Sequence, residues 1–178
     1  HTRYQSLSRG LGDVYKRQEY PSGTGNYPAS GITFEQAKAY AAWLAEATGE
    51  PWRLPGVAEA KTLYPAAGKD ARGEGKAEEN TLDRWAGYPP SPEDAARLRE
   101  KAAPLGGTAP LLKEVGRFGG RGETAKVFDL GGNVAEWTVG PDGTGVLAGG
   151  SADLPARATG PSAKAGEGYR GFRVVATP

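Results

Sequence analysis

An α+β domain with short strands, a few helices and much irregular structure is what this sequence predicts, and three observations carry the prediction. Helical patterns occupy the first part of the chain and short strand signals the last third, an order that fits α+β rather than alternating βαβ units. The 28 glycines and 14 prolines make up about 24% of the chain, double the roughly 12% of average usage, so turns and loops must take a large share. A length of 178 residues suits one domain with a single sizeable core.

Residues 1–18 show no clear periodicity. Their end, Leu11–Gln18, reads as the translation of a sequencing adapter or else as a linker, and the folded domain is expected over 19–178. Methionine is absent, which predicts a cut N-terminus with any upstream domain or signal peptide lost. Ser22-Gly-Thr-Gly-Asn-Tyr-Pro28 is a loop. Thr33-Phe-Glu-Gln36 is a capping box, in which hydroxyl and carboxamide satisfy each other's orphan amides, so a helix opens there. Phe34, Ala37, Tyr40, Ala41, Leu44 and Ala47 recur at three- and four-residue spacing, and Gly49 and Pro51 stop the helix.

Trp52-Arg-Leu-Pro55 is a short extended piece, and Val57 to Tyr64 is a weaker helical pattern followed by a solvated stretch over 68–79. Ser91-Pro-Glu-Asp94 places a hydroxyl cap, a proline and two acids at a helix start that should run to about Ala102. Strand signals lie around Lys126–Phe128, Glu136–Val139, Val146–Leu147 and Phe172–Val175, with Asp142-Gly143 as a hairpin turn. Trp43, Trp52, Trp85 and Trp137 are expected as core anchors.

Composition excludes several functions. Lysine and arginine number 22 against 21 acids, a net charge of +1, so no general field collects nucleic acid, and the arginine-glycine run 116–122 is a surface loop. No apolar run approaches the roughly 18 residues of a spanning helix, so no membrane partner is expected. Cysteine is absent and the single histidine is His1. That removes thiolate nucleophiles, a Ser/His/Asp triad and any His- or Cys-ligated iron, zinc or copper site.

Four blocks stand in fixed order: Gly31-Ile-Thr-Phe-Glu-Gln-Ala-Lys-Ala-Tyr-Ala-Ala-Trp-Leu44, Arg53-Leu-Pro55, Phe128-Asp-Leu-Gly-Gly-Asn-Val-Ala-Glu-Trp137, and Gly149-Gly-Ser151 with Gly171-Phe-Arg173. Together they resemble the formylglycine-generating enzyme, or sulfatase-modifying factor, family over about residues 20–176. The resemblance implies a C-type-lectin-like fold. It also implies two copper-binding cysteines three and eight residues after Ser151, where this chain has Leu154 and Thr159. Neither supplies a soft donor for Cu(I), so formylglycine synthesis by that route is not expected. The related sulfoxide synthases of ergothioneine biosynthesis hold iron through histidines of a separate domain, which this chain does not contain.

Asp129 and Glu136 flank Gly131 and Gly132, and from spacing alone they either cap amides in a tight loop or join backbone carbonyls around a hard cation. The resemblance implies calcium at Asp129, Gly132, Val134 and Glu136, and a second, less well matched site at Asn80 and Asp94. The functional expectation is a non-catalytic recognition or accessory module. It would present the segment Gly149 to Gly168 to a protein or small ligand, with Ser151, Asp153, Arg157 and Arg170 as contact residues. The alternative is an accessory substrate-binding part of a larger enzyme whose catalytic domain lies upstream. Family habit implies an exported bacterial protein.

Overall fold

The structure, a computed structural model, describes residues 23–63, 79–105, 109–118, 127–156 and 164–177. Helix α1 (Phe34–Thr48) starts at the capping box: the Thr33 hydroxyl accepts from the Gln36 amide at 3.2 Å, and the Gln36 side chain accepts from the Thr33 amide at 2.9 Å. It ends at Gly49, whose φ of 72° lies in the left-handed region that glycine tolerates best. Ala37 and Ala41 are buried on its inner face, and their small side chains let the helix lie close against strand β1 (Trp52–Arg53) and Leu54.

Three shorter helices follow. Helix α2 (Val57–Leu63) occupies the weaker pattern, and α4 (Pro92–Ala102) starts and stops where its sequence signals lie. The Ser91 hydroxyl accepts from the Asp94 amide at 3.2 Å, the N-terminal cap expected of it. A 3-10 turn over Ala103–Leu105 extends α4. Between them stands α3 (Leu82–Ala86), which no periodicity announced. Its cap residue Thr81 makes no side-chain bond to the helix, and the element is held instead by Leu82, 1% exposed in the core. A helix this short owes its existence to packing rather than propensity.

Two small sheets complete the fold. β2 (Ala135–Val139) lies between β3 (Gly145–Ala148), antiparallel with Trp137 opposite Leu147, and β4 (Arg170–Gly171), parallel with Glu136 opposite Gly171. β5 (Val175–Ala176) pairs antiparallel with β1, Arg53 opposite Val175. The β2–β3 turn runs through Asp142 and Gly143 as expected. Gly143 has φ 80°, the Gly140 amide donates to the Thr144 carbonyl at 2.8 Å, and the Asp142 carboxylate accepts from both the amide and the hydroxyl of Thr144.

The strand expected over Phe172–Val175 is not one strand. Residues 170–176 leave the β2 sheet after Gly171 and enter the β1 sheet at Val175, while Phe172 and Val174 between them pack on the α1 core. Nor is Phe128 in a strand; its carbonyl accepts from Arg173 instead. Lys126, with the larger part of the stretch 68–79, lies outside the described residues.

The interior has two centres. Ala37, Ala41 and Leu54 form one, with Ile32, Phe34, Trp137, Val139, Phe172 and Val174 packed on it. Leu82, Leu111, Leu112, Val134, Leu154 and Tyr169 are the larger members of the other, beneath α3 and α4. Two of the four tryptophans depart from the expected core positions: Trp43 is 49% exposed and Trp85 43%. Trp43 rests against Tyr40 at the helix surface, with ring centres 5.5 Å apart and planes tilted by 45°. Trp85 is fixed by its indole N–H bond to Asn80 and by the Lys113 ammonium 4.8 Å from its ring centre, which lets one large aromatic stay half in water. Trp137 is half-buried and donates to the Ile32 carbonyl at 2.6 Å. Among the described residues no helix is long and apolar enough to cross a membrane.

Candidate functional site

The segment from Phe128 to Trp137 enters as a turn and leaves as β2, and its glycines are required by what surrounds them. A Cβ on Gly132 would collide with the Asn80 backbone, one on Gly131 with the Glu79 side chain, and one on Gly150 with the Gly131 carbonyl. Three chain segments therefore cross at backbone contact distance. Asn133, with φ 70°, is the pivot. Its carboxamide oxygen accepts from the Lys113 amide and from the Asn80 side chain, both at 3.0 Å, and its side-chain N–H donates to the Lys113 carbonyl at 3.0 Å. Its own backbone amide donates to the Asn80 carbonyl, and its carbonyl accepts from the Ala152 amide. Asn80 adds a bond to the Leu111 carbonyl and accepts from Trp85. Asparagine tolerates the left-handed conformation and carries both a donor and an acceptor, which is what this crossing needs.

Asp129 and Glu136, the carboxylates expected at a calcium ion, lie along one open cleft of about 570 Å³, which Tyr27, Val115, Phe128 and Phe172 also line. Asp129 adopts φ 57° and caps amides: its oxygens accept from Gly116 N–H at 2.5 Å and Phe118 N–H at 3.2 Å. Glu136, 5% exposed, forms a two-pronged pair with Arg173, Nε to one oxygen and a terminal nitrogen to the other at 2.6 Å. The remaining two positions, Gly132 and Val134, are buried beside the Asn80 crossing and in the core. As placed, the four do not fit a calcium ion, because six to eight oxygens must converge on the ion and here a guanidinium faces the glutamate instead. Asn80 and Asp94 do not make a second site: Asn80 is wholly buried in the amide crossing, and Asp94 accepts from Ser91 and lies 3.8 Å from Arg97 on the exposed start of α4.

Of the expected contact residues, Ser151 and Asp153 turn inward. Ser151 is fully buried and donates its hydroxyl proton to Asp153, which is 3% exposed. The other Asp153 oxygen accepts from the Gly166 amide at 2.8 Å and pairs with Arg99 of α4 at 3.0 Å. Burial pushes the nearby Tyr169 hydroxyl above its ordinary pKa, with the Asp153 charge adding to the effect. Arg170 is half-buried, with Nε bonded to the Ala165 carbonyl. Ser151 and Asp153 thus engage their polar groups within the protein, because a buried carboxylate requires its donors there. Arg157 lies outside the described residues, as does Thr159. Leu154 is buried in the core beneath α3.

Among the described residues no three or more histidine, cysteine, aspartate or glutamate side chains gather at one point. What the geometry leaves accessible is the cleft. Val115 is 56% exposed and Phe128 40%, with Tyr27 beside them, and the Val115 amide bonds the Asn26 carbonyl to join two of its walls. Sequence reading missed these three as surface groups because isolated apolar residues in loops carry no periodic signal.

A family model described as the sulfatase-modifying factor enzyme 1-like domain matches residues 9–177. Among solved structures, PvdO from Pseudomonas aeruginosa is similar, at 22% identity and a TM-score of 0.50, over 85% of this chain. The match spans 62% of the PvdO chain, and it shows a shared C-type-lectin-like fold. No curated protein matches the chain.

Proposed function

The chain belongs to the sulfatase-modifying factor enzyme 1-like family, and from that premise we propose that it is a non-catalytic recognition or accessory module that binds a protein or small ligand. The observation that carries the reading is the absence of cysteine from all 178 residues. Copper-dependent thiol oxidation needs thiolate donors, and the position that the family resemblance gives to the first of them holds Leu154, an apolar side chain in the core. The recognition surface in this reading is the cleft of Tyr27, Val115 and Phe128, where apolar side chains stand open next to a charge-neutral Glu136–Arg173 pair. Exposed apolar groups gathered at a concave site favour a partner that brings an apolar side chain of its own.

Peptides selected on the immobilised chain from a random display library test the surface. Selected binders should lose about tenfold or more in affinity when Val115 and Phe128 are both changed to serine; binders indifferent to that change would place recognition elsewhere. Incubation with Cu(I), oxygen and a cysteine-containing peptide tests the non-catalytic part. The thiol is expected to persist by mass spectrometry, and aldehyde formation above the protein-free control would overturn it.

A further inference from the structure

We infer that the Arg173 guanidinium is the resident cation of the Asp129–Glu136 turn, standing in for the calcium ion that the family resemblance implies, and that the turn is complete without a divalent metal. The charge arrangement leads there. Glu136 is 5% exposed on β2, and a carboxylate at that depth needs a counter-charge with good geometry. Arg173 supplies it through two parallel N–H bonds, one to each oxygen, the fork-to-fork arrangement that a guanidinium makes and an ammonium cannot. A terminal nitrogen of the same group also donates to the Phe128 carbonyl at 3.2 Å, at the start of the turn. One planar cation thus collects a carboxylate and a backbone carbonyl, oxygen types that a hard metal ion would otherwise collect.

Asp129 completes the picture from the other side. Its two oxygens accept amide protons from Gly116 and Phe118, so its charge is stabilised by dipoles of the 115–118 loop. A calcium ion placed between Asp129 and Glu136 would have to displace Arg173 from both Glu136 oxygens. A dication beside a retained guanidinium is repelled by it. The substitution also links two parts of the chain. Arg173 lies in the segment that passes from one sheet to the other, so the pair fastens that segment to β2 at the point where strand pairing lapses.

The test compares melting temperatures of EDTA-treated protein with and without millimolar calcium. The expected difference is below about 1 °C, whereas a resident site at a hundredfold excess over its Kd would raise the melting temperature by roughly 5–10 °C. A saturable rise that Asp129→Asn removes would overturn the inference; a rise that persists in Asp129→Asn places the ion elsewhere and leaves it standing. Arg173→Gln is expected to lower the melting temperature by roughly 10 °C, and Glu136→Gln with Arg173→Gln to recover at least half of that. If Arg173→Gln alone does not fold, the doubly substituted protein and the calcium comparison decide the matter. An Arg173→Gln protein as stable as the original would overturn the inference.

Discussion

Around α1 the backbone satisfies itself. Helical bonds, a capping box and a glycine stop use up the main-chain donors and acceptors, and the side chains that remain, Ala37, Ala41, Phe34 and Trp137, pack as apolar volume. Around the Phe128–Val134 turn the main chain lies outside both ladders, and side chains supply many of the bonds that hold it. Asn80, Asn133, Asp129 and Asp153 reach across from one loop to the amides and carbonyls of another. Both regions keep buried main-chain groups paired, as any interior must. The difference shows that where a ladder is missing, a buried carboxamide can replace it, provided that glycines let the segments approach closely enough.

That contrast can be broken most directly at Asn133. Asn133→Ala strips partners from both main-chain groups of Lys113 and from the Asn80 side chain, and leaves an alanine at φ 70°. The expected loss is about 3–4 kcal/mol by urea unfolding, and a loss below about 1 kcal/mol would mean that the amide crossing is not what holds the loops. On the helical side the comparable change is milder. Thr33→Ala removes one capping bond from α1, with about 1 kcal/mol expected in the same measurement, since helix packing on Leu54 survives.

The smallest effect belongs to the surface pair of Arg53 and Glu59, whose side chains are 44% and 39% exposed. The Arg53 hydrogen bond holds the Glu59 carboxyl below the ordinary carboxylate range, with the Gly56 amide adding to it. A carboxyl depressed in the folded state contributes stability that is present above its unfolded pKa and is lost as pH falls through the folded one. Glu59→Gln should therefore cost less than about 0.5 kcal/mol at neutral pH and slightly flatten the acid limb of a melting-temperature profile. An effect as large as that of Asn133→Ala would erase the distinction between surface ion pair and buried crossing.

The same division decides what could be read from the sequence. Both ends of α1 and the start of α4 were legible because Thr33, Gln36, Gly49, Ser91 and Pro92 act on residues three or four places away. The Asp142-Gly143 hairpin was legible for the same reason. The turn region resisted because the bonds that join its loops span 11 to 58 residues, as between Asp129 and Phe118 or Tyr169 and Leu111, and no local pattern records them. Ser151 and Asp153 were read as surface groups because short polar side chains in a glycine-rich stretch usually are exposed. The donors that draw Asp153 inside, Arg99 and the Gly166 amide, come from distant parts of the chain. The motif around Asp129 and Glu136 was visible, while its pairing with Arg173 was not.

Residues 170–176 supply a strand to each sheet, β4 beside β2 and β5 beside β1. During synthesis neither sheet can close until this stretch has left the ribosome, so the domain is committed to folding late, with β1 waiting for a partner more than a hundred residues downstream. Nascent chains caught before that moment would expose Leu54 and the inner face of α1, and these are the surfaces on which a trigger-type chaperone would be expected to dwell longest.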